Sequence, residues 1–109
     1  MKLIISERIA VLAILNAFKG NLETMATILE DIKQIPVTEV EWKKANKKET
    51  VIGNNTQWNW DDAKGGEKEI NLQAPTVEYL KTTIKGKSEK GEITFQDKGL
   101  LTLNKKLNA

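Results

Sequence analysis

The hydrophobic pattern changes period along the chain, and each change predicts an element. "IAVLAIL" (Ile9 to Leu15) is apolar on every side and follows Ser6, a good N-cap. It predicts a helix from Glu7 to about Phe18, stopped near Gly20 and buried on most faces. Asn21 then caps a second helix. On it Leu22, Met25, Ile28, Leu29 and Ile32 recur at helical spacing, with Glu23, Glu30, Asp31 and Lys33 on the outer face, and Pro36 ends it. Thr38 with Glu41 three residues on has the form of a capping box, opening a third helix that should run to about Lys48. Its apolar face is thin (Val37, Val40, Trp42), so it is expected at the surface. Ahead of all three, "MKLII" reads as a short strand or an apolar lead-in.

After Gly53, Asn54 and Asn55 the period becomes two. Thr56, Trp58 and Trp60 fall on one face of a strand and Gln57 and Asn59 on the other. "DDAKGGEK" is a turn-rich connector, and Ile70 and Leu72 of "EINL" share a face, so the expected hairpin pairs these two segments. A further helix starts at Ala74-Pro75-Thr76 with the stripe Val77, Leu80, Ile84 and Gly86 past its end. A last helix from about Phe95 puts Leu100, Leu103 and Leu107 on one face, weakened at Gly99 by about 1 kcal/mol relative to alanine; extended pairing of "EITF" is the competing assignment. The whole is an α+β, mostly helical fold of four to five helices with one β-hairpin, in a single compact domain over residues 1–109. The helix–helix–helix–hairpin order resembles a winged helix-turn-helix.

Composition narrows the chemistry. Hydrophobic residues make up 39% and charged residues 29%, the balance of a globular chain rather than a disordered one. The chain has no cysteine and no histidine, and only Ser6 and Ser88 as serines, so the usual nucleophile–base machinery has no parts. A net charge of +2, carried by lysines with Arg8 as the lone arginine, counts against sequence-specific DNA reading. "IAVLAIL" is too short to span a membrane, and Glu7 interrupts the basic lead a signal peptide needs. A cytoplasmic, membrane-free protein is expected.

The remaining motifs each have a plain structural reading. Gly86-Lys87-Ser88 has the tail of a phosphate-binding loop, but Lys81 stands where the first glycine belongs. Asp61 and Asp62 with Glu67 and Glu69 offer oxygens near a turn, yet Trp58 and Trp60 occupy places where calcium ligands would fall. Neither a catalytic residue nor a cofactor or metal site is expected. Lys43, Lys44, Lys47 and Lys48 make a lysine-rich end on the third helix, which would contact phosphates if the domain bound nucleic acid. Trp42, Trp58 and Trp60 are the candidate interaction surface, with at least one of the hairpin tryptophans expected to anchor the core.

In the run of "SERIAVLAIL", "GNLETMATILEDI", "VTEVEW", a tryptophan hairpin closing on "KEI", and "YLKTTIKGKSEKGEITFQDKGLL", the chain resembles small phage- and prophage-encoded proteins over nearly its full length. It departs from them at "NAFKG", where such proteins often carry a proline-containing turn. The resemblance implies no activity for any residue. The expected function is a non-enzymatic accessory or protein-interaction domain whose partner is a protein, either itself or another. The alternative is a winged-helix-like nucleic-acid binder using the lysine-rich third helix.

Overall fold

The structure, a computed structural model, describes residues 1–94 and 97–108; Phe95, Gln96, Ala109 and the side chain of Lys98 lie outside the described residues. In chain order the elements are β1 (Lys2–Leu3), α1 (Ile5–Asn16), α2 (Leu22–Ile32), α3 (Glu39–Lys44), β2 (Lys48–Ile52), β3 (Asn55–Asn59), α4 (Asp62–Gly65), β4 (Lys68–Glu69), α5 (Ala74–Glu89) and α6 (Lys98–Leu107). The fold is α+β and mostly helical, with two separate two-stranded antiparallel sheets, β1–β4 and β2–β3. Among the described residues no helix is long and apolar enough to cross a membrane.

α1 is the central helix and contacts α2, α4, α5 and α6. Its Val11, Ile14 and Leu15 meet Leu3, Ile28, Ile35, Ile70, Leu80, Ile84, Leu100, Leu103 and Leu107 in one core. Ile4, not Ser6, is its N-cap residue. The Ser6 hydroxyl donates instead to Asp62 Oδ2 (2.6 Å), and the Glu7 carboxylate accepts from the Ile4 N–H (2.9 Å). At this same end of α1, the bare Cα of Gly99 lets α6 lie against it, because a Cβ there would meet the Ser6 carbonyl at 3.0 Å. The helix propensity lost at Gly99 is exchanged for this close approach.

Two charged residues of α1 are buried. Arg8 is 1% exposed and its guanidinium donates to the carbonyls of Ile35 (2.8 Å) and Pro36 (2.6 Å) and to both oxygens of Glu41. Glu7 is fully buried and accepts from Lys106 Nζ of α6 at 2.6 Å.

The second helix is rotated from the expected orientation. Asp31, expected outside, is buried, while Leu22 and Leu29, expected inside, are 80% and 55% exposed, and Met25 beside them is also exposed. The reason is a polar contact. Asp31 accepts from the Gln73 N–H (3.0 Å) and from the Thr76 hydroxyl, so it caps the start of α5, whose own N-cap side chain makes no cap bond. An acceptor buried against the free N–H groups of a helix outweighs the outward preference of a lone carboxylate.

Two boundaries also differ from expectation. The third helix stops at Lys44, because Asn46 takes a left-handed backbone (φ 53°) and closes a Schellman motif: Lys47 N–H donates to Trp42 O and Asn46 N–H to Lys43 O. Lys47 and Lys48 therefore leave the helix. α5 runs through Gly86 and ends at Gly91 (φ 68°) in the same way, so Gly86-Lys87-Ser88 is helical and no phosphate loop exists there. Of the alternative strand "EITF", Glu92, Ile93 and Thr94 lie in neither strand nor helix, while Phe95, the expected start of the last helix, lies outside the described residues.

The hairpin partner is different too. β3 pairs with β2 across a two-residue Gly53-Asn54 turn, whereas Glu69 at the head of "EINL" and Lys68 before it pair with Lys2 and Leu3 respectively, and the Ile70 N–H donates to the Met1 carbonyl. Gly53 at φ 62° in the first central position suits a type II′ turn, and the β-branched run Thr50-Val51-Ile52 favours a strand over a helix end.

Arg8→Ala should lower unfolding free energy by about 3–5 kcal/mol, since it strands the Glu41 carboxylate and two carbonyls, and Arg8→Met should cost less. Arg8 beside Glu41 holds that carboxyl down to about 2, from an ordinary 4.5. Its folded pKa is depressed, so its contribution is complete above pH 4.5 and is lost as the pH falls toward 2. Urea unfolding at stepped pH should show a loss on the order of 3 kcal/mol across that window, and Glu41→Gln should remove that part of the slope.

Candidate interaction surface

The three tryptophans and one lysine converge where the hairpin joins the helices. α3 starts on a capping box in which Thr38 Oγ1 accepts from the Glu41 N–H (3.3 Å) and Glu41 Oε1 accepts from the Thr38 N–H (3.0 Å). With Glu41 also held by Arg8, α3 is fixed on α1 and Trp42 is fixed with it. The Schellman turn after α3 reverses the chain, and this brings the Lys47 side chain back over Trp42. Lys47 Nζ lies 4.4 Å from the centroid of Trp42 and 3.8 Å from that of Trp58, so one ammonium contacts both rings. Ring faces carry negative quadrupolar potential, which makes this placement attractive.

Trp60 completes the group from below. Its ring meets Trp42 edge-to-face with centroids 5.3 Å apart, and its indole N–H donates to Asp62 Oδ1 at 2.8 Å. That same carboxylate accepts from the Ser6 backbone (3.1 Å) and hydroxyl. Asp61 caps α4 by accepting from Ala63 N–H (3.0 Å), and its own N–H donates to the carbonyl of buried Ala45 (2.7 Å). The paired aspartates are thus occupied in fastening the base of the hairpin to α1 and α4. Their oxygens meet N–H and O–H donors of the chain itself.

Above this base all ten residues of β2 and β3 are exposed. Trp58 is 50% exposed, and Val51 and Ile52 are exposed beside the turn. The register sets Glu49 opposite Trp58 and Val51 opposite Thr56, so Val51, Thr56 and Trp58 share one face. Of the expected surface residues, Trp42 and Trp60 are half-buried anchors and Trp58 is the open one. The four lysines do not form one helix end. Lys43 and Lys44 lie on α3, Lys48 lies in β2, and Lys47 is half-buried between rings.

Lys47 as a clamp, and Val51 and Ile52 as strand residues, are not expected from the hydrophobic pattern. The signals were present: an asparagine closing the amphipathic stretch, and "TVI" leading into Gly-Asn. A separate open groove of about 940 Å³ lies between α5 and α6, walled by residues that include Ile84, Ile93, Leu100 and Leu101. None of the sequence-predicted site residues lines it. No family model, curated protein or solved structure matches the chain.

Lys47→Met should free Trp58 from Trp42, seen as greater acrylamide quenching of tryptophan fluorescence and new indole N–H shifts. Global stability should fall by no more than about 1 kcal/mol, the scale of an exposed cation–π contact. Unchanged quenching would mean that the ammonium does not hold the rings together.

Proposed function

We propose that this chain is a non-enzymatic protein-interaction domain, an accessory factor of phage descent acting in the cytoplasm, and that the β2–β3 hairpin is its working arm. One observation carries the reading: a hairpin whose residues are all exposed projects Val51, Ile52 and Trp58 from a base held by Trp42, Trp60 and Lys47. A half-exposed tryptophan on a rigid base is the kind of group that anchors protein interfaces. An isolated two-stranded ribbon gains little stability of its own, so an apolar face left open on it is better explained by a partner than by folding. The phage descent rests on the sequence resemblance to small phage and prophage proteins.

A photo-crosslinking residue placed at Val51 should give a discrete protein adduct in cells of the source, and Trp58→Ala should abolish it. The same residue placed at Glu78 on α5 should give none. Equal labelling from both positions would overturn the reading. The nucleic-acid alternative makes an opposite demand: retention on DNA at about 100 mM salt that disappears on replacing Lys43, Lys44, Lys47 and Lys48 by glutamine. We expect no such retention, and observing it would replace the protein-interaction reading.

A further inference from the structure

We infer that the outer edge of β3 pairs with β3 of a second copy of this chain, giving a two-fold, four-stranded sheet; this rests on the hairpin being the interaction arm. The register makes the edge self-complementary. In a two-residue hairpin the residues flanking the turn, Ile52 and Asn55, exchange both backbone bonds, and bonded pairs then alternate. Thr50 and Gln57 are the next bonded pair, so the backbone N–H and C=O groups of Thr56 and Trp58 point away from β2. Among the described residues no other strand pairs with that edge. Two antiparallel β3 strands centred on Gln57 set Thr56 opposite Trp58 of the other copy and Trp58 opposite its Thr56. All outward donors then meet acceptors.

Side chains and charge favour the same pairing. Each seam pair joins an aromatic residue to a β-branched one, a combination that stabilises cross-strand contacts. β3 reads Asn-Thr-Gln-Trp-Asn, with no charge and no proline to guard the edge, whereas the β2 edge carries Lys48 and Glu49. Pairing β3 with β3 closes on a two-fold axis, while β2 against β3 of another copy would run on as an open fibre. Five residues per strand cover well under the roughly 800 Å² per partner of a standard stable interface, so the dimer is weak and concentration-dependent.

Sedimentation equilibrium over roughly 10 µM to 1 mM should show a reversible monomer–dimer equilibrium. Thr56→Pro removes an outward N–H without touching the bonds to β2, and should weaken the dimer about ten- to a hundredfold. Because the chain has no cysteine, Gln57→Cys supplies a unique thiol on the two-fold axis. Oxidised with copper phenanthroline, it should form a disulfide-linked dimer far faster than Leu22→Cys on α2. A protein monomeric at about 1 mM, a dimer indifferent to Thr56→Pro, or cross-linking no faster at 57 than at 22 would each overturn the inference. A photo-crosslink from Val51 to a different protein, with no self-product, would also overturn it while leaving the arm reading intact. Loss of every adduct from Val51 would sink that reading as well.

Discussion

The buried guanidinium of Arg8 is the constraint on which most of the remaining structure depends. A charge removed from water is costly unless its donors are met, and here two carbonyls and a carboxylate meet them. The carbonyls belong to Ile35 and Pro36, in the link between α2 and α3, and the carboxylate belongs to the capping box of α3. One side chain on the central helix therefore places the α2–α3 connection and the short third helix together. A six-residue helix would not hold a position by its own propensity. Its thin apolar face contributes little, and the ion pair supplies the missing tether.

The same device recurs around the core. Asp31 of α2 caps the start of α5, Glu7 of α1 receives Lys106 of α6, and Asp62 of α4 receives Ser6 of α1. A chain of this size buries a modest apolar core, so a few charged contacts between elements do much of the orienting. Asp61 accepts from the start of α4 and Asp62 from the Ser6 hydroxyl, while Glu67 and Glu69 pair with Lys106 and the N-terminal ammonium. Their neighbours are backbone and side-chain donors of the chain itself, arranged to fix geometry.

The hairpin is organised on the opposite principle. Its base is pinned by Trp60, Asp61 and the Lys47 ammonium between two rings, but its length extends past the core. Position is imposed from below while, among the described residues, both strand edges and one apolar face stay open. That combination of a fixed root and an uncovered surface distinguishes β2–β3 from the β1–β4 pair, whose Leu3 is buried and which continues into buried Ile70.

Local chemistry alone determined a good deal. The Asn21 and Thr38 caps, the Leu100-Leu103-Leu107 face and the mostly helical α+β class follow from short-range hydrogen bonding and side-chain period, and the structure has each of them. Asn46 and "TVI-Gly-Asn" also carried local signals, which a continuous helical stripe across Lys43 to Lys48 obscured. Tertiary structure decided what periodicity could not: that Asp31 faces inward while Leu22 and Leu29 face out, that Arg8 and Glu7 are buried, and that "EINL" joins the N-terminal strand. Those outcomes depend on partners 27 to 99 residues away, whose donors and acceptors repay the burial of charge only after the chain has folded. Trp58 and Trp60 illustrate the division. The alternating pattern put them on one face of a strand, and only the position of Asp62 and Lys47 made one an anchor and left the other open.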